Sequence, residues 1–104
     1  KTFLDIQLLH PTKQIALGEP GWATSPTSSN GDERLIIEEA SEKAQKIFFG
    51  EYYQWLKDNQ IVSFYFEAFD EKWKGGAEKP DGIAEKNWGL YRSDRTPKLA
   101  IKEP

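Results

Sequence analysis

Two places in this sequence set carboxylates beside aromatic rings. The first is Gly18-Glu19-Pro20-Gly21-Trp22. The second is Phe66-Glu67-Ala68-Phe69-Asp70-Glu71-Lys72-Trp73-Lys74. A carboxylate can serve as acid, base or nucleophile toward an oxocarbenium-like centre, and an indole or phenyl ring offers a flat apolar face to sugar CH groups. The mixture suits chemistry at an anomeric carbon. Each residue taken singly has a plainer reading. A lone loop Glu is usually a solvated surface group, and Asp70, Glu71, Lys72 and Lys74 have the look of a solvated charged face. Aromatic residues make up 13% of the chain, with four Trp, and rings in that number also fit the cap of a small core.

Both places follow apolar runs. Residues 14–18 (QIALG) read as a short strand buried on both faces, and residues 61–66 (IVSFYF), β-branched and aromatic, read as a second strand. Between them Ile36, Ala40, Ala44, Ile47, Phe48, Trp55 and Leu56 recur at three- and four-residue steps, the pattern of one helix face. Ser41 fits the N-cap of a helix over 41–58, with Glu42 in its first turn and Lys57 near its end to suit the dipole. Gly50 is a weak point inside it. Trp55 is assigned to the core, and residues 33–40 to a separate short helix. Residues 2–9 read as the tail of an amphipathic helix that stops before His10-Pro11, since a residue preceding proline avoids the α region. Residues 19–32 form a loop, 67–96 a long irregular segment, and 97–101 a short terminal helix.

Strand, loop, helix, strand is one βαβ unit with parallel strands and a right-handed crossover. Two parallel strands leave open edges. The chain therefore reads as part of a larger α/β protein, a fragment or processed product, and the absence of Met agrees. In (β/α)8 barrels the reactive residues lie at the C-terminal ends of the strands, which is where both carboxylate–aromatic stretches fall.

Composition excludes several other classes. A net charge of −3 and the lack of a basic stripe leave no nucleic-acid footprint. No apolar run approaches a membrane span, and no secretory or transit signal is visible. Without cysteine, and with His10 as the single histidine, the chain cannot build a usual zinc site. Gly75-Gly76 alone does not make a phosphate-cradling loop. Asp32, Glu33, Glu38, Glu39 and Glu42 read as solvated charges.

Residues 15–24 (IALGEPGWAT) resemble the nucleophile motif of glycoside hydrolase family 17: apolar strand residues, a small residue, Glu, a small residue, Gly, then Trp or Tyr. Pro20 stands where Ser, Thr or Ala is usual, and Ala23 where Pro is common. Residues 64–74 (FYFEAFDEKWK) are similar to the strand-eight segment of bacterial and fungal members, and on the spacing shared with plant-type members Phe69, Glu71 and Lys74 match. Residues 85–90 (EKNWGL) resemble a segment of Glu, two variable residues, an aromatic, Gly and Leu. Residues 95–98 (RTPK) resemble the usual ending. The stretches keep the family's order and span nearly the whole chain.

The resemblance implies an α/β fold, the C-terminal fragment of a (β/α)8 TIM barrel comprising about strands seven and eight. Residues 1–104 would be one segment of a single domain, incomplete on its own. It implies retaining hydrolysis or transglycosylation of β-1,3-glucan, with no metal and no organic cofactor. Glu19 would be the catalytic nucleophile. Trp22, Phe69, Glu71, Trp73, Lys74, Glu85 and Trp88 would bind substrate. Glu19 must be ionised to attack, and an opposite charge close by favours that form; Lys74 is the expected cation, held by Glu71. Glu85 would bond sugar hydroxyls or complete that network. Trp22, Phe69, Trp73 and Trp88 are platforms, Trp22 and Trp88 first among them. The family's acid/base Glu belongs to strand four, so the isolated chain is expected to turn over no substrate, and Glu67, Glu71 and Glu85 are set aside as substitutes. Expected partners are β-1,3-glucan or its oligosaccharides and the N-terminal part of the barrel or another copy of the chain. The location implied is periplasmic, cell-surface or secreted. Two other readings stay open: a non-catalytic glucan-binding relative, and an inactive fragment that self-associates.

Overall fold

The apolar runs that precede Glu19 and Glu67 pair with each other. In the computed structural model, which describes residues 2–26 and 40–102, β1 (Ala16–Leu17) and β2 (Val62–Ser63) lie parallel, Ala16 opposite Val62 and Leu17 opposite Ser63. Both strands are shorter than the expected 14–18 and 61–66. Backbone pairing runs past them all the same. Phe64 N donates to Leu17 O at 2.9 Å and Phe66 N to Pro20 O at 2.8 Å. The two chains thus stay side by side until each reaches its first carboxylate. The Phe66–Glu67 peptide bond that follows is cis.

β1 is not buried on both faces, as its composition suggested. Ala16 is exposed and Leu17 half-buried, and on β2 Val62 and Phe64 are 41% and 67% exposed. The reason is one of cover: among the described residues a single long helix packs on this pair, and a strand needs a layer on each side to lose both faces to water.

That helix is α2 (Glu42–Asn59). Ser41 caps it, its Oγ accepting from Ala44 N at 3.0 Å, and so supplies a partner for one of the orphan donors of the first turn. The other end closes without glycine. Gln60 takes the left-handed conformation, φ 53°, and its N–H reaches Leu56 O and Lys57 O, while Ile61 N donates to Leu56 O at 3.0 Å. This is a Schellman-type closure, and it leads straight into β2.

The buried face of α2 is rotated from the expected one. Gln45 is fully buried, Phe48, Tyr52 and Leu56 are half-buried, and Ile47 is 53% exposed. Trp55, assigned to the core, is 38% exposed; it lies at the rim, edge-on to Phe3 at 6.3 Å and against Tyr52 at 6.0 Å. The packing between helix and strands is aromatic. Phe48 meets Trp22 at 5.1 Å, Tyr52 at 5.4 Å and Tyr65 at 6.3 Å, and Phe49 meets Tyr65 edge-on at 5.2 Å.

α1 (Thr2–Leu9) ends before His10-Pro11, as the proline requires. Phe3 is its buried side chain, whereas Leu4, Leu8 and Leu9 are exposed. Residues 97–101 form a single turn rather than a helix, with Ile101 N and Lys102 N both donating to Lys98 O. Within 67–96 a short 3-10 turn, Ala84–Lys86, breaks the irregular path, and isolated bridges join Phe69 to Tyr91 and Tyr91 to Pro97. The short helix expected over 33–40 lies outside the described residues except for Ala40, as do Ile36, Asp32, Glu33, Glu38 and Glu39. No described helix is long and apolar enough to cross a membrane.

Candidate active site

Three segments converge beyond the C-terminal ends of the strands: residues 19–24 after β1, 66–74 after β2, and 84–91. Two glycines allow the approach. A Cβ on Gly21 would stand 1.8 Å from Phe66 O and 3.3 Å from the Trp88 ring. A Cβ on Gly89 would stand 2.2 Å from Asp70 N. The neighbours are backbone atoms, which cannot swing aside, so no larger residue fits. Peptide hydrogen bonds then lock the stack. Thr24 N donates to Asn87 O at 2.9 Å, Leu90 N to Glu67 O at 3.0 Å, Tyr91 N to Ala68 O at 2.9 Å, and Asp70 N to Tyr91 O at 2.9 Å.

Buried polar side chains tie the three segments together. Gln45, reaching in from α2, donates through Nε2 to Trp22 O at 3.1 Å and Gly89 O at 2.9 Å. Asp70 Oδ1 accepts from Gly89 N at 2.9 Å and from Lys98 Nζ at 2.7 Å. Lys98, 2% exposed, also donates to Thr24 Oγ1 at 3.0 Å. Asp70, its side chain 11% exposed, is therefore a structural partner and not one of a solvated charge run. Lys86, equally buried, donates to Gly76 O at 2.7 Å and to Lys72 O, and so ties the turn after Lys74 to the 3-10 turn.

At the mouth formed this way sits a third cation. Lys74 Nζ is 2.7 Å from Glu67 Oε1, 3.2 Å from Glu71 Oε1 and 4.1 Å from the centre of the Phe66 ring. Burial pushes the Lys74 ammonium toward deprotonation, but the hydrogen bonds and charges of Glu67 and Glu71 outweigh it and hold its pKa above the usual value. Burial raises the pKa of Glu67, and Lys74 pulls it back only in part. Glu67 Oε2 and Glu85 Oε1 are both buried and accept no hydrogen bond among the described residues. The Glu85 side chain would meet a Cβ placed on Gly75, the residue after Lys74, at 3.4 Å.

The residues singled out in the sequence fall around this mouth. Glu19 is exposed, two residues past the end of β1. Glu71 pairs with Lys74, but the short partner of Lys74 is Glu67, and the ion pairs of Lys74 run to those two carboxylates and not to Glu19. Trp22 is half-buried against Phe48, Trp88 packs on Phe66 at 6.0 Å, and Trp73 is 64% exposed. Phe69 has the Arg95 guanidinium 3.9 Å above its ring and Tyr91 at 5.6 Å, so a cation already occupies one face. Sequence reasoning missed Glu67 as a partner of Lys74, and missed Gln45, Asp70 and Lys98. For Gln45 a signal existed: a polar residue on the buried stripe 45, 48, 52, 56. Among the described residues no group of three or more His, Asp or Glu is placed to hold a metal.

No protein-family model matches the chain. Individual proteins do. A glucan 1,3-β-glucosidase of Arthroderma benhamiae is 38% identical over 87 residues, 82% of this chain and 27% of that protein. The crystal structure of an endo-laminarinase from Formosa Hel1_33_131 superposes with a TM-score of 0.73 at 32% identity, over 94% of this chain and 24% of the other. A glycoside hydrolase family 17 β-1,3-glucanosyltransferase from Rhizomucor miehei superposes with the same TM-score, 0.73, over 96% of this chain and 33% of that one. The chain is homologous to glucan 1,3-β-glucosidases and has the fold of a piece of a family 17 glycoside hydrolase. At 22% identity the Rhizomucor structure speaks for the fold, an α/β segment of a (β/α)8 barrel. The chain spans about a quarter of the length of the curated relatives it matches.

Proposed function

We propose that residues 1–104 are the C-terminal segment of a single family 17 domain, with β1 and β2 as barrel strands seven and eight. The complete protein hydrolyses or transglycosylates β-1,3-glucan with retention. The observation that carries this reading is the placement of Glu19. It leaves β1 at the same end of the sheet at which Glu67, Glu71 and Lys74 leave β2, and it is exposed with no ion pair to Lys74. A carboxylate in that position is free to attack an anomeric carbon.

Retention requires a second carboxyl about 5–5.5 Å from the nucleophile. The resemblance assigns the acid/base Glu to strand four, outside residues 1–104, and leaves Glu67, Glu71 and Glu85 in supporting roles. Trp22 and Trp88, half-buried beside Gly21, are rigid platforms next to the nucleophile, and Trp73 is an outer one. Phe69 offers a sugar at most the face that Arg95 leaves open. Glu71, on the wetter side of Lys74, and Glu85, whose Oε1 lacks a protein donor, are acceptors for sugar hydroxyls. Lys74 directs its remaining N–H toward the bound sugar. The exposed edge at Val62 and Phe64 is covered by the rest of the barrel.

The test is Glu19→Gln in the full-length protein. Turnover on β-1,3-glucan falls by several orders of magnitude while substrate binding is kept, because the amide keeps the size of the carboxylate but cannot form the glycosyl ester. In Glu19→Ala, which empties the space the carboxylate filled, azide restores cleavage and inverts the anomeric configuration of the product. Near-parental kcat for Glu19→Gln would remove the nucleophile assignment and leave a glucan-binding relative.

A further inference from the structure

A lysine side chain has a flexible four-carbon stem and three donors, and alone it does not define a position. Two carboxylates share the Lys74 ammonium, and they are not equivalent. Glu67 contacts it at 2.7 Å with 13% of its side chain exposed; Glu71 contacts it at 3.2 Å with 38% exposed. A charge-assisted bond that is short and shielded from water is the stronger of two such bonds. Glu71 lies three residues before Lys74 in the same turn and moves with it, whereas Glu67 is anchored elsewhere. Its N–H donates to Trp88 O at 3.3 Å and its carbonyl accepts from Leu90 N at 3.0 Å. Among the described residues the Glu67 carboxylate has Lys74 as its only donor, since Oε2 accepts nothing. The Phe66 ring centre also lies 4.1 Å from the ammonium.

We propose that Glu67 is a positioning residue that fixes the Lys74 ammonium at the mouth of the strand pair, and that Glu71 is the weaker partner, left accessible to ligand. The sequence resemblance assigned the holding of Lys74 to Glu71; the geometry gives it to Glu67. The consequence for catalysis rests on the glucan-cleaving reading above. The consequence for Lys74 itself does not.

The experiment uses the full-length protein as parent and as Glu67→Gln, Glu67→Asp and Glu71→Gln. The first readout is the rate at which Lys74 is acylated by dilute acetic anhydride, followed peptide by peptide by mass spectrometry. Buried Lys86 serves as the internal check that the fold is intact. Glu67→Gln raises the Lys74 rate about threefold or more, since a neutral amide makes roughly half as strong a bond to an ammonium. Glu71→Gln raises it less, and Glu67→Asp falls between the parent and Glu67→Gln. The second readout is kcat/KM on β-1,3-glucan, where Glu67→Gln costs about tenfold or more, a loss of the size that small misplacements near the chemistry produce. Glu71→Gln loses less kcat. A Lys74 rate in Glu67→Gln that equals the parent's, or stays below that of Glu71→Gln, overturns the proposal. So does a smaller loss of kcat/KM in Glu67→Gln than in Glu71→Gln. If the labelling order holds in a full-length protein that cleaves no β-1,3-glucan, the positioning role stands and the glucan-cleaving reading falls.

Discussion

Replacing Gly21 by alanine adds one methyl group, and the geometry says what it meets. The new carbon would lie 1.8 Å from Phe66 O and 2.9 Å from the Phe66 carbonyl carbon. An ordinary carbon–oxygen contact is about 3.3 Å, so the two segments must separate by roughly 1.5 Å. The obstacle is backbone at the end of β2, held there by the Phe66 N to Pro20 O bond of 2.8 Å. It cannot rotate away, and the adjacent Trp88 ring, 3.3 Å from the same point, blocks a sideways escape. Overpacking of this kind costs about 1–3 kcal/mol. It also moves Glu19 and Trp22 away from Glu67 and Lys74, and a misplacement of about 1 Å can cost on the order of a hundredfold in rate. Gly18→Ala is the matched control, because a Cβ there meets nothing within 4 Å. In the full-length protein, thermal denaturation and kcat on β-1,3-glucan report the two effects. Gly21→Ala lowers Tm by several degrees and kcat by one to two orders of magnitude, while Gly18→Ala changes each far less. Parental Tm and kcat in Gly21→Ala, or equal damage from Gly18→Ala, would refute the close approach of the two strand ends.

Two further outcomes follow from the buried polar groups. Asp70→Asn leaves the Lys98 ammonium, 2% exposed, without its carboxylate. The expected cost is about 3–5 kcal/mol by denaturant unfolding, and adding Lys98→Met recovers a large part of it, because the uncompensated buried charge is gone; a double variant no more stable than Asp70→Asn would contradict this. Tyr65 titrates late: burial, then the neighbouring Tyr52, pushes its phenol up to about 12. Its folded pKa thus exceeds the unfolded value of about 10, so the folded state favours the neutral phenol. The stability held below pH 10 is then lost as the pH rises from 10 toward 12. Phenolate absorbance followed through an alkaline titration should show a late-ionising component that Tyr65→Phe removes, with a flatter alkaline loss of stability.

Local chemistry was legible along the chain. Ser41 is the N-cap because its hydroxyl reaches an N–H three residues on, a relation written in adjacent positions. Pro11 stops α1 by its ring. The runs before Glu19 and Glu67 pair in parallel because a helix separates them. The motif stretches around Glu19, Glu71 and Trp88 carried the relationship to β-1,3-glucan enzymes. Only the tertiary structure decided which groups lie in water. Trp55 satisfies the helical period yet sits at the rim, since the period places a stripe and the neighbours choose which part of it they cover. Asp70 and Glu71 are adjacent in one acidic run, but Asp70 turns inward to Lys98 and Gly89, whereas Glu71 stays at the mouth with Lys74. The pairs Glu67–Lys74 and Asp70–Lys98 span 7 and 28 residues of irregular chain. Neither stretch runs as one helix or strand, so no periodicity in the sequence links such positions. The backbone stacking that Gly21 and Gly89 permit is what brings their segments together.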